Sequence, residues 1–281
     1  MKFEKWQALG NDYLIIEADA LPWELTPARI RRICDPHFGV GSDGILLLDT
    51  SVQEGGHVAA LRIFNPDGSE SGLSGNGSRE AIMYLRRRGH TDRDEFTILT
   101  PSGPIRPRIT GATTCSVDIG RASTSSHDYP AGTPDGIGEL DAAGAHWRFQ
   151  HVSIGNPQCA IACDSVEELD LALIGPEIER HALFPRRTNV SWYRELEPGS
   201  LRARIFERGV GETLSSGTGA SGAAVAYHLA GGPDRVEVRL DGGELLVEIG
   251  PQLEITLTGW ALPVFAGALC EDLVKELDET Q

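Results

Sequence analysis

The stretch RIFNPDGSESGLSGNGSRE at residues 62–80 has a second copy, RIFERGVGETLSSGTGASG, at residues 204–222. The two Arg-Ile-Phe triplets begin 142 residues apart, and Ser74 and Ser216 keep the same offset. Each copy reads as a strand, a loop and a Ser-Gly-x-Gly turn that opens a helix. Duplicated units usually face each other, so we expect a site at the interface of two halves, with the two serines on opposite sides.

The duplication predicts two domains in a chain of 281 residues, a length that fits either one large domain or two of about 100–150 residues. Short apolar runs separated by Gly and Pro indicate a β-rich sheet rather than βαβ units. We place one half at residues 1–120, completed by residues 264–281, and the other at residues 121–263. Residues 121–145, rich in Ser, Gly, Pro and Asp, are the predicted linker.

The charge of the chain argues against two classes of partner. A net charge of −16 and the lack of a basic stripe make nucleic acid and anionic membrane poor partners. No apolar run reaches the roughly 18 residues of a membrane span, and the first ten residues lack the apolar core of a signal peptide. We expect a cytoplasmic protein that binds a small molecule, with a homodimer left open.

Two other patterns have weaker functional interpretations. Cys159 and Cys163 would share one face of a strand, which leaves metal binding open by geometry. No His or Cys motif stands nearby, so buried reduced thiols are the better interpretation. The glycine-rich turn at residues 39–44 lacks the Lys-Ser/Thr ending of a phosphate loop. We therefore predict neither a metal nor a bound nucleotide.

The two Ser-Gly-x-Gly turns could bind an anion. The first N–H groups of a helix have no partner within it and lie at the positive end of its dipole. The turns at Gly75-Asn76-Gly77 and Gly217-Thr218-Gly219 could therefore converge on one carboxylate. For a single turn, a serine N-cap that bonds its own helix is the simpler interpretation. Two matched copies behind the same Arg-Ile-Phe strand favour a ligand.

Polar residues near the two turns suit a ligand with two charged ends. Arg208 can hold a carboxylate through two hydrogen bonds, and Glu207 can hold an ammonium group. Asparagine in a loop also favours tight turns, so a structural role for the loop asparagines stays open. These asparagines are Asn11, Asn65, Asn156 and Asn189.

The chain resembles diaminopimelate epimerase from residue 1 to about residue 265. The resemblance rests on a series of motifs that together are more specific than any one of them. They are Gly10-Asn11-Asp12, Gly39-x-Gly41-x-Asp43-Gly44, Arg62-Ile-Phe-Asn-x-Asp-Gly-Ser-Glu70, Gly75-Asn-Gly-x-Arg79, Gly155-Asn-Pro157, Asn189, Glu207-Arg208-Gly-x-Gly-Glu-Thr213 and Gly217-Thr-Gly-Ala220.

This resemblance implies an α/β fold of two pseudo-symmetric halves, each a central helix wrapped by mostly antiparallel strands, with the substrate between them and no cofactor. It implies an isomerase of lysine biosynthesis in which one thiolate removes the α-proton and an opposing thiol reprotonates the other face. The reacting carboxylate would lie on Gly75, Asn76, Gly217 and Thr218. The distal amino-carboxylate would lie near Asn65, Asn156, Asn189, Glu207 and Arg208, and Asn11 is a further candidate for substrate binding.

The chain departs from the family pattern at the two reacting positions, where Ser74 and Ser216 stand in place of the catalytic cysteines. An alcohol is a much weaker acid than a thiol and needs a neighbouring base or metal to act. Gln158 also stands where the family usually has His. The chain also differs from the family pattern at Glu80, Ser221 and Gly222. These further differences favour natural divergence over engineered removal of the cysteines.

Three functions stay open. In the first, Ser74 and Ser216 act as an acid and base pair, relayed by Glu70, Glu207 or Glu212, unless Glu70 and Glu212 only brace their loops. In the second, the site runs another isomerisation or a cyclisation on a small acid, as the phenazine-pathway isomerases of similar fold do without the cysteine pair. In the third, a binding or scaffolding protein remains. Our leading prediction is a cofactor-independent amino-acid epimerase or racemase, with diaminopimelate as the leading ligand.

Overall fold

The computed structural model describes residues 1–52, 54–72 and 74–280. It divides into two compact units, which we call unit 1 (Met1–Val117 with Gly259–Gln281) and unit 2 (Asp118–Thr258). The sequence places the corresponding boundaries at residues 120 and 263. Within the described residues, no helix is long and apolar enough to cross a membrane.

The strands and helices follow one another in a repeated order. The first elements are β1 (Lys2–Ala8), β2 (Asn11–Glu17), α1 (Pro27–Cys34), β3 (Ile45–Asp49), β4 (Ala59–Phe64), β5 (Glu70–Ser71), α2 (Gly75–Arg87), β6 (Ile98–Thr100), β7 (Gly103–Ile105), β8 (Arg108–Ile109) and β9 (Thr114–Arg121). The next are β10 (Ile137–Ala142), β11 (Ala145–Ser153), β12 (Pro157–Ala162), α3 (Leu171–Glu179), β13 (Asn189–Glu197), β14 (Ser200–Glu207), β15 (Gly211–Thr213) and α4 (Gly217–Leu229). The last are β16 (Arg235–Leu240), β17 (Gly243–Ile249), β18 (Glu254–Trp260), β19 (Leu262–Ala268) and α5 (Glu271–Glu279), and short 3₁₀ turns occur at Ala18–Ala20 and Glu54–Gly56.

The sheet of unit 1 has the strand order β19-β1-β2-β3-β4-β6-β7, with β5 folded back on β4. Two neighbouring pairs in this order are parallel, β2 with β3 and β4 with β6. The helix α2 packs on β1, β2, β3 and β19, and its residues from Asn76 to Leu85 are buried. A separate apolar cluster joins α1 and α5 to β2 and β3. The buried helix α2 is therefore the centre of this unit.

Unit 2 repeats this plan. Its sheet runs β10-β11-β12-β13-β14-β16-β17-β18, with β15 folded back on β14. Its parallel pairs are β12 with β13 and β14 with β16, and α4 packs on β11 to β14, β16 and β17. The residues of α4 from Gly219 to Ala226 are small and buried, which lets the surrounding backbone come close. The run β1-β2-β3-β4-β6-β7 thus corresponds to β11-β12-β13-β14-β16-β17, which confirms the predicted fold class.

The predicted linker at residues 121–145 is wrong in its second part. The strand β10 lies within it and pairs antiparallel with β11. Leu140 and Ala142 on β10 are both buried, but exposed Glu139 and Asp141 beside them and the Gly-rich, Pro-rich residues before them hide the alternation. Burial of two side chains on one face stabilises a strand that the composition of the segment conceals.

Gly68 occupies a loop position that tolerates no side chain. Its φ is +90°, and a Cβ there would lie 2.6 Å from the Cα of Pro27, the first residue of α1. We predict that Gly68→Ala lowers the free energy of unfolding by about 2–4 kcal/mol, because a left-handed backbone and a clash with backbone add. Gly120→Ala is the matched control, since Gly120 has a φ of +101° and open space around it, and it should cost about 1 kcal/mol. Equal urea midpoints for the two variants would contradict the packing argument.

Candidate active site

Each half of the candidate site begins with a serine that caps a helix. Ser74 has extended backbone dihedrals, and its Oγ accepts a hydrogen bond from the Gly77 N–H at 3.1 Å. Ser216 caps α4 in the same way, through the Gly219 N–H at 3.1 Å. The N-cap role is therefore present in both halves. It leaves the N–H groups of the first helical residues without a partner inside the helix.

Glu70 and Glu212 form matching ion pairs in the two halves. The Arg62 guanidinium donates to both carboxylate oxygens of Glu70 at 2.9 Å, and Arg204 binds Glu212 at 2.6 and 2.8 Å. The Arg62 guanidinium holds the pKa of Glu70 below its usual value. These carboxylates tie β5 to β4 and β15 to β14, so they brace the loops before the serines and are poorly placed to relay protons.

Glu207 is the carboxylate next to Ser216. It ends β14 and is partly buried. Burial raises the pKa of Glu207, and a hydrogen bond from the Ser216 hydroxyl opposes this rise. A carboxylate that accepts from an alcohol can take the proton of that alcohol. Unit 2 therefore places a hydroxyl with a base beside it at a helix N-terminus.

The equivalent hydroxyl of unit 1 has a phenol beside it. The Tyr13 hydroxyl donates to Ser74 Oγ at 3.3 Å, and Tyr13 is buried on β2. Tyr13 is not among the predicted site residues, because an aromatic residue in the apolar run Tyr-Leu-Ile-Ile reads as core. One signal in the sequence points to it, since it stands two residues after a duplicated Gly-Asn pair, as Gln158 does.

Three side chains form a hydrogen-bonded chain in unit 2. Gln158 donates from Nε2 to Asn156 Oδ1 at 2.8 Å, and Asn156 donates from Nδ2 to Thr218 Oγ1 at 3.2 Å. Gln158 is fully buried, and its Oε1 has no hydrogen-bond partner among the described residues. A Cβ at Gly222 would lie 2.8 Å from the Gln158 Cβ, so glycine in α4 leaves room for this amide. The structure thus joins two predicted site residues, Asn156 and Thr218.

Asn189 holds the loop that contains Arg208. Its Oδ1 accepts from the Arg208 N–H at 2.8 Å, and its Nδ2 donates at 3.1 Å to the carbonyl of the first residue of β12. Glu179, which the sequence does not single out, is buried and accepts from the Gly209 N–H at 3.1 Å. Arg208 itself is exposed, and its guanidinium donates to the Arg186 carbonyl at 3.1 Å. Two buried polar residues therefore fix the backbone on either side of an exposed cation.

The predicted asparagines of unit 1 are oriented by neighbouring polar groups. Asn65 donates from Nδ2 to Ser69 Oγ at 2.9 Å within its own turn. Asn11 donates from Nδ2 to Asp43 Oδ2 at 2.8 Å. The contact of Asn65 matches the turn-stabilising role that loop asparagines commonly have, whereas that of Asn11 joins the start of β2 to the loop before β3. For both residues the predicted binding role stays a prediction.

Two charged residues in the first half of α2 are buried. Arg79 is 1% exposed and donates to the Gly75 carbonyl at 3.1 Å and to Asn76 Oδ1 at 2.6 Å. Glu80 is fully buried, and neither of its carboxyl oxygens has a hydrogen-bond partner among the described residues. Burial raises the pKa of Glu80 well above its usual value, although the Arg79 charge opposes the rise. Burial therefore favours the neutral acid form of Glu80 over its carboxylate.

Two cysteines of unit 2, Cys159 and Cys163, have thiols that are hard to deprotonate. Burial raises the pKa of Cys163 to about 11 and that of Cys159 well above its usual value, so both thiols stay protonated at neutral pH. In residues 1–52, 54–72 and 74–280, no group of three His, Cys, Asp or Glu side chains is placed to hold a metal ion.

The chain is similar to proteins of one family over almost its whole length. The family model described as diaminopimelate epimerase matches residues 3–125 and 150–261. Diaminopimelate epimerase from Moorella thermoacetica is 38% identical over 95% of this chain and 98% of that protein. Diaminopimelate epimerase 2 from Nostoc sp. is 39% identical over 97% of each. Among solved structures, a probable proline racemase from Agrobacterium radiobacter K84 has the same fold, with a TM-score of 0.69 at 16% identity over 96% of this chain and 93% of its own.

We predict that Glu80→Gln stabilises the protein more at high pH than at low pH. Above the usual glutamate pKa of 4.5 the unfolded chain loses the proton, while the raised pKa of Glu80 lets the folded chain hold it to higher pH. The glutamate therefore weakens folding progressively as pH rises from that value. Urea unfolding of both proteins at about pH 4 and about pH 8 should show a small advantage of the variant at the lower pH and a larger one at the higher.

Glu70→Gln is the control of opposite sign. The pKa of Glu70 is lowered by Arg62, so its stabilising effect is present above the usual pKa and is lost as pH falls through the folded value. This variant should be less stable than the parent chain at about pH 8 and should approach it in acid. If the stability differences of the two variants change with pH in the same direction, the pKa of Glu80 is not raised in the folded protein.

Proposed function

The chain belongs to the diaminopimelate epimerase family and is an enzyme of the epimerase or racemase kind, and we propose that it moves a proton at the α-carbon of a small amino acid between Ser216 and Ser74. Diaminopimelate is the proposed substrate, because relatives that match 95% and 97% of the chain are named diaminopimelate epimerases. The observation behind this proposal is the pair of serine caps, Ser74 at the start of α2 and Ser216 at the start of α4, with the Glu207 carboxyl near enough to Ser216 for the hydroxyl to lower its pKa.

We assign the α-carboxylate of the substrate to the two helix starts. Gly75 and Asn76 begin α2, and Gly217 and Thr218 begin α4, so both turns offer backbone N–H donors at a positive dipole end. Loss of the α-proton spreads negative charge from the carbon onto this carboxylate. Donors aimed at that charge therefore bind the carbanion more strongly than the substrate, which lowers the barrier.

In the proposed reaction, Ser216 Oγ accepts the α-proton while its own hydroxyl proton passes to the Glu207 carboxylate. The Cα–H bond breaks, its electron pair stays on carbon, and Glu207 becomes a neutral acid. Ser74 then gives its hydroxyl proton to the opposite face of the carbon, while its Oγ takes up a proton from the group that donates a hydrogen bond to it. Exchange with water resets the protons of both sides for the next turnover. An alcohol needs such a relay, because it is too weak an acid to exist as a free alkoxide near neutral pH.

The distal end of the substrate is assigned to Arg208 with Asn156. Arg208 is an exposed cation on a loop whose backbone is fixed by Asn189, and a guanidinium matches a carboxylate in shape and charge. Glu207 was also a candidate for the distal ammonium group. Its hydrogen bond to Ser216 favours the proton relay, so we propose that role instead.

The family resemblance implies cysteines at the positions of Ser74 and Ser216. The serines found there favour a second candidate function. A carboxylate working through an alcohol is a weak base for the α-hydrogen of an amino acid. A small acid with a more acidic C–H bond would suit the same groups better, and the product would then be an isomerised or cyclised acid. Binding without catalysis is the remaining alternative, and the exchange experiment below separates the three.

We predict that the enzyme incorporates deuterium at the α-carbons of L,L-diaminopimelate in D₂O, followed by NMR against a heat-killed control. Glu207→Gln should slow this exchange by about 10²-fold or more, because the base behind Ser216 is lost. Glu248→Gln is the control, since Glu248 is a carboxylate of unit 2 paired with Arg235 on neighbouring strands, and it should keep the exchange rate. Equal rates for Glu207→Gln and the parent enzyme would refute the relay.

A variant with both Ser74→Cys and Ser216→Cys completes this experiment. If only this variant exchanges the α-hydrogens, the pocket binds diaminopimelate but its native chemistry lies elsewhere, and a panel of other small acids tests the second candidate. If neither protein exchanges them and neither binds diaminopimelate in calorimetry, the proposed substrate is wrong.

We predict that Arg208→Ala raises the KM for diaminopimelate about 10-fold to 100-fold and changes kcat much less. Loss of a charge-assisted contact of about 1.5–3 kcal/mol accounts for this range, and a contact far from the reacting carbon acts on substrate and transition state alike. Arg235→Ala is the control, since Arg235 is an exposed cation paired with Glu248 on neighbouring strands. An unchanged KM in Arg208→Ala would remove Arg208 from the distal site.

A further inference from the structure

The duplication places different chemical groups at equivalent positions of the two units. Tyr13 and Gln158 both stand two residues after a Gly-Asn pair, and the residue after Arg-Ile-Phe is asparagine in unit 1 and Glu207 in unit 2. As a result, Ser74 has a phenol as its neighbour while Ser216 has a carboxylate. The two serines share one capping geometry but differ in proton chemistry.

The hydroxyl of Ser74 has both of its acceptor sites in use. A serine hydroxyl offers one proton and two lone pairs. Ser74 Oγ accepts from the Gly77 N–H at 3.1 Å and from the Tyr13 hydroxyl at 3.3 Å. Tyr13 is the donor of this pair, because a phenol is a stronger acid than an aliphatic alcohol. What Ser74 has left to offer is its own proton, for which the described residues provide no acceptor.

The hydroxyl of Ser216 has the opposite arrangement. It accepts from the Gly219 N–H at 3.1 Å, and its acidic neighbour is Glu207, whose pKa is raised by burial and held back from rising further by the Ser216 hydroxyl. One lone pair therefore stays open on Ser216. In this state Ser216 is arranged to accept a proton, whereas Ser74 is arranged to give one.

We propose that Ser74 is the proton donor and Ser216 the proton acceptor of the resting enzyme, and that Tyr13 is the positioning residue that resupplies the proton of Ser74. This inference rests on the proposed function, because it assigns directions to the same two hydroxyls. It adds Tyr13 to the machinery and makes the two sides of the reaction chemically unequal.

Protons and electron pairs balance along this route. As the Ser74 O–H bond breaks and a C–H bond forms at the α-carbon, the Tyr13 hydroxyl proton moves to Ser74 Oγ. Tyr13 is left as a phenolate, stabilised while it lasts by the new Ser74 hydroxyl, and then takes a proton from water. On the other side, the acid form of Glu207 loses its proton to water. The net change is inversion of one carbon and replacement of its hydrogen by one from solvent.

The unequal sides predict different behaviour for the two epimers of the substrate when Tyr13 is changed. Removal of the α-hydrogen by Ser216 and Glu207 does not use Tyr13. Its return by the same pair exchanges hydrogen with solvent and keeps the configuration, since Glu207 is only partly buried. Delivery or removal on the Ser74 side needs the phenol or phenolate. Tyr13→Phe should therefore separate exchange from inversion.

The test incubates Tyr13→Phe with L,L- and with meso-diaminopimelate in D₂O and measures deuterium incorporation and epimer ratio. We expect inversion to fall about 10²-fold, with kcat affected more than KM. The α-hydrogens of one configuration should still exchange, and those of the other should not. Ser74→Ala should give the same pattern, because it removes the hydroxyl through which Tyr13 acts.

Tyr84→Phe is the matched control. Tyr84 lies on α2 and its hydroxyl donates to Glu17 at 2.6 Å, so this variant also loses a hydrogen-bonded phenol in unit 1. It should keep the parent ratio of exchange to inversion. If Tyr13→Phe also keeps that ratio, or if exchange of both configurations falls together with inversion, the role of Tyr13 is refuted. If the parent enzyme itself exchanges neither epimer, the proposed function fails and not this assignment alone.

Discussion

The first N–H groups of α2 and α4, which have no partner inside their own helices, are the constraint on which the rest of the molecule depends. Both helices are buried along most of their length, so their first turns must be satisfied by a cap and by whatever binds there. Glycine at the third position makes this possible. A Cβ at Gly77 would lie 3.0 Å from Leu46, and one at Gly219 would lie 2.7 Å from Ile205. Glycine at these positions lets the helix start pack directly on the strands without displacing the side chains of Leu46 and Ile205.

Different residues hold the loop before each serine and surround its hydroxyl. The ion pairs Arg62 with Glu70 and Arg204 with Glu212 are equivalent in position and geometry, because they brace the same loop in each unit. The neighbours of the serines lie outside this brace and have diverged to Tyr13 and a carboxylate. Divergence at positions that do not hold the loop gives each serine a different neighbour without disturbing the turn that it caps.

The part of this structure that follows from local rules could be predicted from the sequence. The duplication, the two helix starts and their serine caps follow from residue types at fixed spacing. The neighbours of each serine could not be predicted. Tyr13 lies 61 residues from Ser74 in the chain, and in the sequence pattern it looks like any other apolar residue of a core strand. The amide of Asn189 shows the same limit. Its type suggests ligand binding, whereas its two bonds to backbone depend on a pairing of strands that no local spacing reveals.

The buried residues next to the two helix starts show how the packing of the two units differs. Arg79 and Ser221 are equivalent positions, and both donate to the carbonyl of the first helical residue, at 3.1 and 2.8 Å. Glu80 and Gly222 are also equivalent, and here the units differ in volume. Gln158 fills the space beside Gly222 in unit 2. In unit 1 the residue equivalent to Gln158 is Tyr13, whose side chain reaches Ser74, and Glu80 is buried on the helix instead. Burying an acid costs free energy, and because burial raises the pKa of Glu80, this group weakens folding as pH rises. Tyr13 and Glu80 thus occupy in unit 1 the two positions at which unit 2 has an amide packed against a glycine.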